Sequence, residues 1–233
     1  MNSMDPGKSA VPEPGVAPQP PRKPKKPWVI VKELSKRAHW RLRKHFLALD
    51  EADRLLRFGT VLPDELIIKY VEGIDFARDT VFGVYDSRLR LVGVGHLAFA
   101  PREQLPVLSA ATSKERIAEF GVSVSASARG KGVGSKLFER AAIRCRNADI
   151  DTLYMHCLSS NKVMMHIAKK AGMEIQRDYG EADAYLRLPP ANPASVLQEA
   201  VDEQVASFDY VFKANARAAV KWLESLSGFN KRD

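Results

Sequence analysis

The residues best suited to chemistry lie between Phe120 and Ala141, FGVSVSASARGKGVGSKLFERA, where alternating residues give way to a glycine-rich turn and then to a helical pattern. Phe120, Val122 and Val124 fall on one face and Gly121, Ser123 and Ser125 on the other, the period of a half-buried strand. From Val133 the period changes: Leu137, Phe138, Ala141, Ala142 and Cys145 form one stripe, with Lys136, Glu139, Arg140 and Arg144 opposite. Between the two elements lies Arg129-Gly130-Lys131-Gly132-Val133-Gly134. Glycines let backbone approach a ligand closely, and the unpaired N–H groups of a helix's first turn favour negative charge. Arg129 and Lys131 add two cations, so phosphate is the group this arrangement suits. A Walker loop, G-x-x-x-x-G-K-[ST], does not fit: the glycines are too close together and Ser135 follows Gly134. A dinucleotide fingerprint also fails, with one residue rather than two before the third glycine. The bland alternative is a tight strand-to-helix connection whose glycines serve packing alone.

At these residues the chain resembles the GNAT superfamily of N-acetyltransferases, whose cofactor turn reads [QR]-x-x-G-x-[GA] between a strand and a helix. Arg129, Gly132 and Gly134 occupy its three fixed positions. A second block follows: Asp151 to Cys157 has strand character, Asn161 opens the helix NKVMMHIAKKAGM, and Gly172-Met173 ends it, as a glycine with an apolar partner does in the superfamily. Leu49 to Asp75 is similar to the region joining the first two helices in these proteins, including some bacterial protein-lysine acetyltransferases. The resemblance covers about residues 28–188.

It implies acetyl-CoA as cosubstrate and direct attack of a primary amine, on a small molecule, a protein lysine or an N-terminus. The pyrophosphate would lie on Arg129, Gly130, Lys131, Gly132, Val133, Gly134 and Ser135, and the pantetheine amides along Val122, Ser123 and Val124, where an N–H could polarise the thioester carbonyl. Asn161 either contacts the cofactor, caps its helix, or does both. For acid–base work the resemblance leaves less. The family's tyrosine acid, seven residues after the asparagine, is Ala168 here, so the thiolate's proton would come from water, Ser159, Ser160 or His166. The family's glutamate base shares a face with the last valine of the central strand, where this chain has Ala118; Glu119, one residue off, and His156 are the candidate bases. A noncatalytic acyl-CoA-binding or sensing module is the alternative that the missing tyrosine raises.

The elements needed to position these groups are legible along the chain. WVIVKEL (28–34) reads as a first strand. Ser35 can cap a helix with Trp40, Leu42, Phe46, Leu47 and Leu49 on its apolar positions. Pro63 to Glu72 suits a second helix, and Thr80–Tyr85 with Leu89–Ala98 a hairpin about Asp86-Ser87. Pro101 to Ser113 looks like a loop, and strands are expected at Glu174–Arg177 and Ala184–Leu188. The expected class is α/β in the broad, α+β sense, and the resemblance makes the sheet mixed and mostly antiparallel, flanked by helices. After Pro189-Pro190 and Pro193 one long helix, Ser195 to Leu226, carries Leu197, Val201, Val205, Phe208, Phe212, Ala216, Ala219 and Leu223 at three- and four-residue steps. Such a stripe either folds back on the core or pairs with the same helix of a second copy, making a homodimer. The organisation expected is a tail over 1–27, an acetyltransferase domain over 28–188, and a linker with a C-terminal amphipathic helix over 189–233.

Net charge is +8, but residues 1–44 hold 11 Lys or Arg against 3 Asp or Glu, whereas 45–233 hold 25 of each. The basic excess belongs to a front end whose first 27 residues carry 8 of the 14 prolines, a composition expected to be disordered and solvated rather than to bind nucleic acid. No run of about 18 apolar residues suggests a membrane span, and no apolar leader is seen, so a cytoplasmic protein is expected. Cys145 and Cys157 read as buried thiols, with no disulfide framework and no metal site implied.

Overall fold

The computed structural model describes residues 28–99 and 116–229; the 1–27 tail and the Pro101–Ser113 loop expected from sequence lie outside the described residues. In chain order the elements are β1 (Lys32–Leu34), α1 (His39–Leu47), α2 (Glu51–Phe58), α3 (Asp64–Glu72), β2 (Thr80–Tyr85), β3 (Leu91–Ala98), β4 (Ile117–Val124), α4 (Val133–Asn147), β5 (Thr152–Leu158), α5 (Lys162–Lys170), β6 (Glu174–Asp178), β7 (Glu181–Arg187) and α6 (Pro193–Phe229). The strands form one sheet in the order β1-β2-β3-β4-β5-β7-β6, antiparallel throughout except between β4 and β5. This is the mixed, mostly antiparallel α+β architecture expected.

Each face of the sheet buries its own apolar set, as strand alternation requires. One core joins Phe82, Leu97, Ala118, Phe120 and Leu153 to Leu137, Phe138, Ala141 and Cys145 of α4 and Met164, Ile167 and Ala168 of α5. The other joins Val81, Leu91 and Val94 to Leu42 and Phe46 of α1 and Ile67 and Val71 of α3. Both cysteines are free and buried. Among the described residues no helix is long and apolar enough to cross a membrane.

Five local expectations change. The first strand is shorter than WVIVKEL because its ladder with β2 holds only three residue pairs, Lys32–Leu34 against Val81–Gly83. Ser35 makes no side-chain cap; a 3-10 turn over Lys36–Ala38 leads into α1, and Trp40 is exposed, covered only by the Arg41 guanidinium. An unforeseen α2 occupies part of the first connection, started by the Asp50 carboxylate accepting from the Asp53 N–H (2.8 Å) and stopped by Gly59 at φ 74°. β6 and β7 meet at a two-residue turn, Tyr179-Gly180, both with positive φ; this draws Glu181 to Asp183 into the last strand.

The fifth change concerns α6, which at 37 residues spans about 55 Å. It folds back on α4 and β1, but through the face opposite the expected stripe. Leu197, Val201, Phe208 and Phe212 point outward, while Glu199 and Glu203 meet Arg140 at 3.2 and 3.6 Å, and Glu203 also meets Lys32 at 3.0 Å. Arg140, placed by its period on the solvent face of α4, is therefore only 3% exposed beneath α6. Removing both acids strands that cation. Glu199→Ala with Glu203→Ala should cost about 3–5 kcal/mol in urea unfolding, and adding Arg140→Met should return part of it. A loss below about 1 kcal/mol would contradict the account.

On the opposite face His45 of α1 is pinned to β3 and β4. Its Nδ1–H donates to the Leu91 carbonyl (3.1 Å), which leaves Nε2 to accept from the Ser123 hydroxyl (2.7 Å). Burial lowers its pKa to about 4, the Leu91 bond and Asp53 opposing and Arg57 reinforcing the effect. The unfolded chain, titrating near 6.5, thus binds the extra proton between those values. The resulting stability is complete above pH 6.5 and drains away as pH falls toward 4, by about 3 kcal/mol. Denaturant titrations at pH 7.5 and 4.5 should show that loss in the natural protein and a smaller one in His45→Gln; equal losses would rule it out.

Candidate active site

β4 and β5 pair over three residues only, Ile117–Glu119 against Thr152–Tyr154. Beyond Glu119 they part. β4 stays with β3 as far as Val124, and β5 stays with β7 as far as Leu158. The backbone of Phe120 to Val124 thus has no strand partner on its β5 side, and its polar groups there require water or a ligand.

A cleft of about 450 Å³ opens at this parting. It is lined by Val122, Ser123 and Val124 of β4, by Arg129, Gly130, Gly132, Val133, Gly134 and Ser135 of the turn and α4, and by Asn161 of α5. Ten of the eleven cofactor residues expected from sequence are brought together here. The exception is Lys131, whose ammonium turns away to the Ser127 carbonyl (2.8 Å). Arg129 bridges the cleft mouth instead of presenting a free charge: its Nε donates to the Val124 carbonyl (3.2 Å) and its guanidinium pairs with Asp53 of α2. Attraction for an anion therefore falls mainly on backbone N–H groups.

Those groups are well placed. Gly132 caps α4 at φ 81°, and the first intrahelical bond to its carbonyl comes from Lys136 (3.0 Å), so the N–H groups of Val133, Gly134 and Ser135 have no partner within the helix. Gly130 (φ 73°) and Gly132 stand over open space, and a β-carbon at Gly134 would come within 3.1 Å of Ile167. A side chain at any of the three would distort or fill the cradle, which fits a phosphate held by backbone. Asn161 caps α5, its Oδ1 accepting from the Met164 N–H (3.1 Å), and it also lines the cleft.

A smaller cavity of about 190 Å³ adjoins the cleft, sharing Leu56, Arg57, Val122 and Met164 with it. Glu119 and His156, the two candidate bases, both line it. The His156 Nδ1 lies 2.8 Å from the Asp183 carboxylate, which also accepts from the Tyr154 hydroxyl (2.6 Å). Burial, then this hydrogen bond, raises the Tyr154 pKa, so its hydroxyl stays protonated. Cys157 is also in the wall, but burial and Asp183 raise its pKa and keep it a thiol. Ala168, at the place of the family tyrosine, is 1% exposed inside the α4–α5 core and brings no hydroxyl. Of the other proton sources considered, His166 lines the cleft, whereas Ser159 and Ser160 do not.

Sequence reasoning missed Asp183, hidden because β7 was expected to begin at Ala184. Arg54 is structural: it donates to the Leu47, Leu49 and Leu62 carbonyls and pairs with Asp64. Arg57 lines both spaces, its guanidinium lying where a β-carbon on Gly121 would be 2.5 Å away. The available signal was a glycine inside a strand, which often marks such an approach.

Comparison with known proteins agrees with this fold. The GNAT domain of S. lividans PAT superposes with a TM-score of 0.55 at 18% identity, covering 68% of this chain and 89% of that one. YncA of Salmonella typhimurium, solved with its cofactor acetyl-CoA, gives 0.52 at 13% (71% and 97%), and an N-acetyltransferase of Staphylococcus aureus Mu50 gives 0.51 at 16% (70% and 100%). At these identities the likeness is one of fold. No curated protein matches the chain. The family model of the acetyltransferase (GNAT) family matches residues 65–173, from α3 to the end of the second block, so the chain carries a GNAT acetyltransferase domain there.

Proposed function

We propose that the protein is an N-acetyltransferase that takes the acetyl group from acetyl-CoA and passes it to a primary amine by direct attack, with residues 28–188 as its catalytic unit. The observation that carries this reading is the parting of β4 from β5 beside an α4 N-terminus whose three glycines leave a backbone-lined cradle. The diphosphate would lie on the N–H groups of Gly130 to Ser135, and the pantetheine arm along Val122 to Val124. Acetyl-CoA supplies an activated thioester. The amine nitrogen bonds to its carbonyl carbon as the C–S bond breaks, the sulfur leaves with the electron pair, and one amine proton goes to a base.

Glu119 is the base favoured here, because it lines the smaller cavity and forms no hydrogen bond or ion pair with the described residues, whereas His156 is engaged by Asp183. With Ala168 in the tyrosine's place, the sulfur's proton comes from His166 or water. Much of the rate would rest on holding amine and thioester together.

The test combines calorimetry with turnover. CoA and acetyl-CoA should bind the natural protein, and Gly132→Val, which combines a positive φ with a side chain in the cradle, should weaken binding at least tenfold in a folded protein. Glu119→Gln should leave that affinity unchanged and lower kcat by about 100-fold or more. Absence of binding would overturn the reading, and tight binding without turnover on any amine would favour the noncatalytic sensing role that Ala168 suggests.

The outward stripe of α6 is further read as the contact to a second copy. Leu197, Val201, Phe208 and Phe212 are all exposed along it, a continuous apolar face of the kind that pairs with another apolar face. Sedimentation should give a dimer that Phe208→Glu with Phe212→Glu converts to monomer; a monomeric natural protein would contradict this.

A further inference from the structure

Arg57 is a half-buried cation without a counter-ion. Its guanidinium lies against the β4 backbone at Gly121 and over the rings of Phe58 and Tyr70, with ring centroids 5.0 and 5.5 Å away. Among the described residues its one hydrogen bond runs from Nη2 to the Tyr70 hydroxyl (2.8 Å). That hydroxyl donates to His96 Nδ1 (2.8 Å), and the opposite nitrogen of His96 donates to Asp79 (3.0 Å). The chain of bonds has one direction and fixes the guanidinium in place, yet Asp79 is two residues removed from it. Among the described residues Arg57 forms no ion pair, and its Nε is buried with no hydrogen-bond partner. A guanidinium held this way has donor capacity to spare for an anion, and a two-oxygen acid matches its planar fork. Arg57 also lines the small cavity that holds Glu119 and His156.

We propose that Arg57 anchors a carboxylate of the acceptor, so that the substrate is a small amino acid, its acid on Arg57 and its amine toward Glu119, rather than a protein lysine or a peptide N-terminus. This rests on the acetyltransferase reading and narrows its acceptor. The cavity, about 190 Å³, is below the roughly 300–1,000 Å³ of pockets for drug-sized ligands. It suits a molecule in which amine and acid lie close together. Cation and carboxylate lining one cavity would also set the direction in which such a zwitterion enters.

The test compares each of several α-amino acids with its amide, its decarboxylated amine and a peptide bearing the same first residue, at saturating acetyl-CoA. In the natural protein kcat/KM for the free acid should exceed that for the amide by about tenfold or more, the scale of a hydrogen bond to a charged group, mostly through KM. Arg57→Gln should abolish the preference and Arg57→Lys retain part of it; calorimetry with CoA on each variant separates this loss from any change at the cleft that Arg57 also lines. Independently of turnover, N-acetyl amino acids should bind the natural protein more tightly than the matching N-acetyl amides. Equal use of acid and amide, better use of the peptide, a preference that survives Arg57→Gln, or an equal fall in kcat on every acceptor, as expected if the guanidinium served the thioester oxygen, would each overturn the proposal. So would failure of every carboxylate-bearing amine to react or bind while CoA binds; failure of CoA itself to bind would instead remove the acetyltransferase reading.

Discussion

The parting of two parallel strands after three paired residues governs the rest of this structure. β4 keeps β3 beside it from Glu119 to Val124 and β5 keeps β7 over its full length, so the sheet does not lose continuity where they diverge. What the divergence leaves is a row of β4 backbone groups facing a gap, beside the first turn of α4. Neither feature alone makes a binding site. An unpaired strand edge invites any extended chain, and a helix N-terminus binds any anion weakly. Set at one gap, they suit a ligand with an amide-bearing arm and a phosphate head, and the family to which residues 65–173 belong transfers acetyl groups.

The remaining contacts keep that gap open and shaped. His45 ties α1 to Ser123, Arg129 ties the glycine turn to Asp53 of α2, and Arg57 of α2 occupies the space that Gly121 leaves bare. Two helices on one face of the sheet, α1 and α2, are thus fastened to β4 at successive residues of the same side, Gly121 and Ser123, and at the turn that follows. On the other face α4 and α5 are held by apolar packing, and α6 clamps α4 through Arg140. The side chains around the cleft are mostly paired with one another, which leaves the backbone amides and a few uncommitted groups, Glu119 and Arg57 among them, to meet ligands.

The part of this site that depends on local chemistry was legible in the sequence. Glycine spacing and the change of period from two to 3.6 located the strand, the turn and α4, because backbone conformation at Gly130 and Gly132 is decided by those residues themselves. What depends on distant neighbours was not. Arg140 lies on the polar side of its helix by period, yet is buried because α6, over fifty residues later, brings two glutamates to it. The outward stripe of α6 was visible as a period of apolar residues, but which face would dock was decided by charge pairs with α4 and β1. α2 escaped notice for a third reason: eight residues with exposed Leu55 and Leu56 give no buried stripe, and only its Asp50 cap and Gly59 stop mark it. The acid–base groups lie in the same category, since Asp183 reaches His156 by strand pairing rather than by sequence proximity.

The most direct measurement of the central claim is a titration of ¹⁵N-labelled protein with CoA, followed by backbone amide resonances. If the parted strands and the glycine turn hold the cosubstrate, the amides of Gly130, Gly132, Gly134 and Ser135 shift together with those of Val122 to Val124, saturating with one dissociation constant. Shifts confined to other surfaces, or none at millimolar CoA, would contradict it.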